Sequence, residues 1–498
     1  MSSAVTEPRK RARVAGLRLT VRTLGSTLLC EPVVRPGHKV MQLYRVAEAA
    51  ANKPLRLLTR SGVYLKAQLT AAAAGLRDGD EITAVTFLPQ LYATYGSFAA
   101  LKGDGSLLCW SSRSGGRDAD WQIGVKAVCA TQFTLVILKD DGSVISWGEF
   151  SPGRYSTRQR LSSGALEISV AGDFVIAVTE NGSVLPVDDR GTVPELARRG
   201  LAKICNTWNA SAALKTDGSV VSWGLAGYGG DTAAVRQELQ SGVSGIVATE
   251  AAFAAVKHGG RVVTWGDPER GGDSGSVQQQ LQDGVKTVVS SSWAFAAIKE
   301  GKAVVAWGPA EGGGDCSPVQ QQLRSGVAKV VANVRAFSAI KEDKSVVTWG
   351  LSAGGGNSRA VQTQLQGDVV EIAATNFAFA AIKRGGSVVT WGQGRCGKDI
   401  GPLQRLRLRS GVAHICAGQY AFAAVKDNGS VVCWGEDWGG GDTGAKQQDL
   451  NSGVVSVRYA ENAFAAVKDD GSVVCWGECY PGGRVADQRV FRSGVALR

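Results

Sequence analysis

Hydrophobic and polar residues alternate along most of the chain in a pattern that repeats about every 42 residues. The segment AFAAVKDNGSVVCWG at 421–435 returns almost unchanged at 463–477. The tryptophans that close these units are spaced by 42, 42, 42, 42, 43 and 42 residues: Trp223, Trp265, Trp307, Trp349, Trp391, Trp434 and Trp476. Weaker copies end at Trp110 and Trp147, and one has Val187 in the tryptophan position. We therefore count ten units between about residue 91 and the C-terminus.

Each unit reads as β structure. Two short apolar runs flank a D-G, N-G or G-G turn, which predicts a β-hairpin. An upstream strand has the pattern S-G-V-x-x-V/I, as in Ser241–Ile246 and Ser325–Val330. Apolar pairs four residues apart, such as Val277 and Leu281, predict a single helical turn between units. The sequence thus predicts three strands and one helical turn per unit.

Such units are typical of β-propeller blades, with the tryptophan filling the space between neighbouring blades. The W-G signature and glycine-rich loops resemble the repeat of the regulator of chromosome condensation family, including its β-lactamase-inhibiting relatives. The resemblance covers about 400 of the 498 residues. This chain lacks the histidine that often follows the family's glycine, since Gly418-Gln419-Tyr420 leads into Ala421. Family members usually close at seven blades. Ten units leave open an unusually large ring, a smaller ring with some early units outside it, or an open array. We favour a closed ring, and its number of blades stays open.

Residues 14–88 do not follow the repeat. Their pattern predicts strands, then a helix over Val40–Ala51, then further strands over Leu55–Leu58 and Ile82–Phe87. This β-β-α-β-β order, which makes the predicted class of the front region α+β, resembles a ubiquitin-like β-grasp domain. Conjugation requires a free Gly-Gly end, but the chain continues through Pro89 and Gln90 into the repeats at 91–498. We expect a built-in module, preceded by a basic disordered tail at 1–13.

The charge is concentrated at the front of the chain. The net charge is +11, but residues 1–90 carry 14 Lys/Arg against 6 Asp/Glu, and the remainder carries 41 against 38. The repeats therefore lack the basic excess typical of nucleic-acid binding, and we do not expect a nucleic-acid partner. The interpretation of the basic tail stays open between a function, as a nuclear import signal or a phosphate-contacting arm, and a merely solvated terminus. Its basic residues are Arg9, Lys10, Arg11 and Arg13.

Composition also bears on the compartment. The ten cysteines form no C-x-x-C pair, the first sixteen residues have no apolar core typical of a signal peptide, and no apolar run is long enough to span a membrane. We expect an intracellular protein, cytoplasmic or nuclear, without membrane association.

The sequence shows no catalytic constellation. His38, His258 and His414 lie in unrelated contexts, outside any metalloprotease or nucleophile-elbow motif. We therefore predict a non-enzymatic protein with no cofactor and no metal. Recurring aspartates in the glycine-rich loops have a structural interpretation first and a calcium-binding one second. They are Asp231, Asp273, Asp315 and Asp442.

The loops after W-G differ between copies, and loops on a rigid scaffold often carry binding residues. Tyr228, Trp438 and Tyr480 are the candidate partner anchors, although each side chain has the alternative of packing under its own loop. The expected function is a protein-binding scaffold. The resemblance implies adaptor roles with ubiquitin-pathway partners, because related repeats occur in large HECT-type ligases. Two alternatives remain: guanine-nucleotide exchange on a small GTPase, for which the even spacing shows no specialised insertion, and inhibitor-like capture of an enzyme.

Overall fold

The computed structural model describes residues 16–477 except 52, 112–119, 132–133, 152–153, 172–173, 180–183, 187–199 and 461. The region is mainly β. Within these ranges, no helix is both long and apolar enough to cross a lipid bilayer.

The front region forms a small mixed sheet covered by one helix. Its elements are β1 (Leu17–Arg18), β2 (Thr20–Thr23), β3 (Leu28–Cys30), β4 (Val33–Val34), α1 (Val40–Ala51), β5 (Leu55–Thr59) and β6 (Glu81–Thr86). The four-stranded sheet has the order β3-β2-β6-β5, with β2 parallel to β6 and the other pairs antiparallel. Val40, Leu43 and Ala47 lie on the buried face of α1 and pack against Val21 and Ile82 of the sheet.

The repeat region forms small antiparallel sheets, which we number 1 to 10 in chain order. Sheet 1 comprises Gln90–Ala93, Ser97–Leu101, Leu107–Ser111 and Asp120–Gln122; sheet 2, Val125–Ala130, Thr134–Lys139, Val144–Ser151 and Arg154–Leu161; sheet 3, Ala165–Ala171, Phe174–Thr179 and Val184–Pro186. Sheet 4 comprises Leu201–Asn206, Ala210–Lys215 and Val220–Gly224; sheet 5, Val243–Ala248, Ala252–Lys257 and Val262–Gly266; sheet 6, Val285–Ser290, Phe295–Lys299 and Val304–Trp307; sheet 7, Val327–Ala332, Ala336–Lys341 and Val346–Gly350. Sheet 8 comprises Val369–Ala374, Ala378–Lys383 and Val388–Gly392; sheet 9, Val412–Ala417, Ala421–Lys426 and Val431–Gly435; sheet 10, Val454–Ala460, Ala463–Lys468 and Val473–Gly477.

The second strand of a sheet is buried on both faces, which explains the A-F-A-A pattern. Ala252, Phe253, Ala254 and Ala255 are all fully buried. The phenylalanine stacks on the tryptophan of the third strand, with Phe253 and Trp265 at 5.1 Å between ring centroids. Because neighbouring sheets cover both faces, small alanines alternate with one large aromatic side chain.

Consecutive sheets pack on one another through buried apolar side chains. Ala210 and Leu214 of sheet 4 share a core cluster with Phe253 and Trp265 of sheet 5. Sheet 10 in turn packs on sheet 1, where Ala465 and Val467 meet Phe98 and Trp110 in one cluster. Sheet 10 therefore lies against sheet 1, an arrangement consistent with a β-propeller.

Short helical segments follow the third strands. They are Ala226–Tyr228, Ala233–Val235, Pro268–Arg270, Gly275–Leu281, Ala310–Gly312, Ser317–Val319, Gln320–Leu323, Ser352–Gly354, Arg359–Leu365, Gly394–Cys396, Pro402–Arg407, Asp437–Gly441 and Gly444–Lys446. Gln320–Leu323 and Pro402–Arg407 are α-helical, Asp437–Gly441 is a helical turn interrupted at Gly440, whose φ is +89°, and the others are 3₁₀. Leu281, Leu323 and Leu365 are fully buried, which agrees with the predicted four-residue spacing.

The two ends of the sheets differ. At one end, which we call the hairpin end, the D-G-type turns join the second and third strands. The front region lies here: Lys66 Nζ pairs with Asp140 Oδ1 at 2.9 Å, and Gln68 Nε2 donates to Asp140 Oδ2 at 2.9 Å. Pro54 lies against the turn of sheet 10 at Gly471. The front region thus contacts the hairpin turns of sheets 2 and 10.

Candidate partner-binding face

The opposite end, which we call the tip face, carries the turns between first and second strands and the loops after W-G. Each turn has two residues at its apex, the tip residues. In sheets 4 to 9 they are Trp208-Asn209, Glu250-Ala251, Ser292-Trp293, Val334-Arg335, Asn376-Phe377 and Gln419-Tyr420. The backbone N–H of each first tip residue donates to the carbonyl of its counterpart in the next sheet. These bonds run 208 to 250, 250 to 292, 292 to 334, 334 to 376 and 376 to 419, at 2.8 to 3.3 Å. The tips therefore form a continuous hydrogen-bonded belt.

In sheets 4 to 8, a polar side chain directly before the tip fixes the turn to the loop behind it. Thr249 Oγ1 accepts from the N–H of Ala252 at 3.0 Å and donates to the carbonyl of Arg270 at 2.9 Å. The same contact to the loop 21 residues on is made by Thr207, Ser291, Asn333 and Thr375. Because these polar groups are buried and paired, the tips are held rigidly, as a recognition surface requires.

The tip residues differ in every copy, whereas the residues around them barely change. They include aromatic, acidic, basic and small side chains, between a Thr, Ser or Asn (Gly418 in sheet 9) and an A-F-A-A run that varies only to A-S-A-A in sheet 4 and A-F-S-A in sheet 7. This contrast was readable from the repeats alone, but the sequence interpretation addressed only the loops after W-G. The structure places both sets at the same end of the molecule.

A cluster of stacked side chains covers the tips of sheets 5 to 7. Two guanidinium groups stack on the Trp293 ring, with Arg335 Cζ 3.0 Å and Arg270 Cζ 4.0 Å from its centroid. Glu250 Oε2 accepts from Trp293 Nε1 at 3.1 Å and pairs with Arg270 at 3.4 Å. Arginine and tryptophan are the side chains most often found at the energetic centres of protein interfaces.

A depression of about 460 Å³ opens inside the belt. Its wall is formed by strand ends and tips of sheets 4 to 8, together with Gly418, and Glu250 is the one charged residue among those that line it. Trp208 borders it with 69% of its surface exposed, the largest exposed aromatic side chain of the described residues. The tip face thus presents an exposed indole and a carboxylate at the edge of a depression lined mainly by polar residues.

The predicted anchors occupy different positions. Tyr228 is half-buried and packs against the core of sheets 4 and 5. Trp438 is half-buried, tilted against Tyr420 at 4.7 Å between ring centroids, and donates from Nε1 to Glu436 Oε2 at 3.1 Å. Tyr480, like the basic residues Arg9, Lys10, Arg11 and Arg13, lies outside the described residues. Both described side chains are half-buried, and their role as partner anchors stays a prediction.

The recurring charged residues have structural contacts. Asp273 Oδ1 accepts from the N–H of Gly275 at 2.7 Å, and Asp231, Asp315 and Asp442 repeat this contact. Lys257 Nζ donates to the carbonyl of Glu238 at 2.6 Å.

Burial raises the pKa of the Cys416 thiol to about 11, so it remains protonated at neutral pH. The described part of the chain contains no group of three or more His, Cys, Asp or Glu placed to hold a metal ion.

No family model and no curated protein matches this sequence. Solved structures do resemble it at low identity. Yeast RCC1 (Prp20), in complex with Kap60, has 14% identity over 76% of this chain and 92% of its own, with a TM-score of 0.33. The CRINKLY WD40 ectodomain of the Arabidopsis thaliana receptor kinase ACR4 has 16% identity over 57% and 99%, with a TM-score of 0.31. Human WBSCR16 has 14% identity over 70% and 89%, with a TM-score of 0.30.

Proposed function

We propose that this protein is a non-enzymatic scaffold that binds a protein partner on its tip face. The observation that carries the proposal is the contrast between rigid, repeated tips and the side chains they present, which change from sheet to sheet. A structural role alone does not require six different tip pairs on six nearly identical sheets. Exposed Trp208 and the stacked Arg270, Trp293 and Arg335 supply the side-chain types that dominate protein interfaces.

The proposal also covers the arrangement of the ten sheets and the nature of the front region. We propose that the ten sheets are ten blades of one closed ring, which the contact between sheets 10 and 1 supports. We further propose that the front region is a ubiquitin-like domain, which its parallel β2–β6 pair and the single helix α1 support. Its contacts with the hairpin end at Asp140 leave the tip face uncovered. An adaptor in a ubiquitin-related pathway would thus recruit partners at two separate surfaces.

Affinity capture with matched variants tests the scaffold. Trp208→Ala and Leu225→Ser each remove an exposed apolar side chain from the tip face, and Leu225 is 58% exposed. Leu403→Ser is the control, because Leu403 is 65% exposed but lies on α-helical turn Pro402–Arg407, outside the tip face. Partners retained by the wild type and Leu403→Ser, and lost by the tip variants, support the proposal. Equal capture by all variants contradicts it, as does accelerated nucleotide release from a bound small GTPase.

A further inference from the structure

The charge of the tip face is opposite to that of the whole chain. In sheets 4 to 9 we take the tips together with the loops 225–231, 267–273, 309–315, 351–357, 393–399 and 436–442. These ranges hold eleven acidic and four basic residues: Asp231, Glu250, Asp267, Glu269, Asp273, Glu311, Asp315, Asp399, Glu436, Asp437 and Asp442 against Arg270, Arg335, Arg395 and Lys398. The full chain has a net charge of +11, so the excess of carboxylates on the tip face does not follow from the overall composition.

The two arginines nearest the depression are already engaged. Both stack on Trp293, and Arg270 also pairs with Glu250. The contacts of Glu250 with Trp293 Nε1 and with Arg270 both use Oε2, so Oε1 can accept a hydrogen bond from a further donor. Glu250 lines the depression together with Trp208, whose indole is largely exposed.

An exposed indole next to a carboxylate is a combination that binds cations. The face of an indole ring attracts an ammonium or guanidinium group, and a carboxylate accepts its charge-assisted hydrogen bonds. Trp293 shows the same preference within the molecule, since the guanidinium groups of Arg270 and Arg335 both stack on its ring. A basic partner would also be attracted by the surrounding carboxylates at longer range.

We infer that the partner of the tip face is a Lys/Arg-rich polypeptide segment, and that one of its basic side chains enters the depression between Trp208 and Glu250. This inference rests on the proposed scaffold function and specifies the partner class of the same face. The acidic loops attract and position the segment, and the depression binds one of its basic side chains.

The test uses the full chain and a defined probe. The probe is a fluorescein-labelled eight-residue peptide in which arginine alternates with glycine, and the control peptide carries neutral citrulline at each arginine position. Fluorescence anisotropy measures the binding of both to the wild type, Glu250→Gln, Trp208→Ala and Glu300→Gln. Glu300 is an exposed glutamate at the hairpin end of sheet 6, so its substitution removes the same charge elsewhere.

We expect the arginine peptide to bind, the citrulline peptide to bind at least tenfold more weakly, and Glu250→Gln and Trp208→Ala each to weaken the arginine peptide about five- to tenfold. Glu300→Gln should leave the affinity unchanged. Equal binding to all four proteins, or no preference for arginine over citrulline, overturns the inference. If Trp208→Ala abolishes partner capture but the arginine peptide does not bind, the scaffold function stands and the basic partner is wrong. If the tip variants capture the partner as well as the wild type does, the scaffold proposal itself fails.

Discussion

The indole N–H of Trp307 donates to the carbonyl oxygen of Gly271 at 3.1 Å, across the boundary between sheets 6 and 5. The same bond recurs in five other W-G units, between the tryptophan and a loop glycine 36 or 37 residues earlier, at 2.9 to 3.2 Å: Trp265–Gly229, Trp349–Gly313, Trp391–Gly355, Trp434–Gly397 and Trp476–Gly440. Neighbouring sheets are therefore joined by a buried hydrogen bond as well as by apolar packing.

Replacing this tryptophan should weaken one boundary between sheets. Trp307→Phe leaves the Gly271 carbonyl without its donor and creates a cavity, so we expect a loss of about 2 to 4 kcal/mol in the free energy of unfolding. The measurement is the urea denaturation midpoint followed by far-UV circular dichroism. Trp208→Phe is the control, since Trp208 is mostly exposed, and it should change stability by less than about 0.5 kcal/mol. Equal effects of the two substitutions would show that the buried bond contributes little.

The loop glycine should tolerate no side chain. Gly271 has a φ of +91°, and a Cβ there would lie 2.7 Å from the ring of Phe295. Gly271→Ala therefore combines backbone strain with a steric clash, and we expect it to destabilise the protein by about 2 to 3 kcal/mol. Gly301→Ala is the matched control, because among the described residues no heavy atom lies within 4 Å of a Cβ at that position. Thermal melting distinguishes them, and a normal melting temperature for Gly271→Ala would contradict the close approach.

The docked position of the front region depends on Asp140. Asp140→Ala removes the acceptor of both Lys66 and Gln68, and we expect faster hydrogen–deuterium exchange in residues 64–68 and 139–142. Asp427 occupies the corresponding position in the turn of sheet 9, so Asp427→Ala is the control and should leave those segments unchanged. Identical exchange in the Asp140 variant and the wild type would show that other contacts hold the front region in place.

Glu48 should make stability depend on pH. It is buried, its Oε1 accepts from the N–H of Leu55 at 3.1 Å, and burial raises its pKa in spite of nearby Lys102. A raised pKa in the folded state means that stability falls as pH rises through that value. Glu48→Gln removes the ionisable group, so above that pKa the variant should melt at a higher temperature than the wild type.

The difference should shrink as pH falls towards the ordinary glutamate pKa. Melting temperatures between pH 4 and pH 8 test this, with Glu81→Gln as the exposed control. A wild type that is more stable than Glu48→Gln at pH 8 would contradict the assignment.

The repeat made the strands predictable from the sequence, but it did not predict contacts between residues that are distant in the chain. A period-two pattern around a glycine turn specifies each hairpin locally, and helix α1 lies over Val40–Ala51 as predicted. The acceptor of Trp307 Nε1 lies 36 residues upstream on another sheet, and no local pattern marks it. The pairing of Lys66 with Asp140 likewise depends on how the front region docks. Aromatic type alone also failed to separate exposed Trp208 from half-buried Trp438, because exposure is decided by packing.

Site-specific photo-crosslinking of the full chain to its captured partner tests the central claim most directly. A benzophenone amino acid at Asn209, an exposed tip residue of sheet 4, is compared with one at His258, an exposed turn residue at the hairpin end of sheet 5. A tip-face scaffold predicts a covalent adduct with the partner from position 209 and none from position 258. An adduct from position 258 with none from position 209 would contradict it and assign partner binding to the hairpin end.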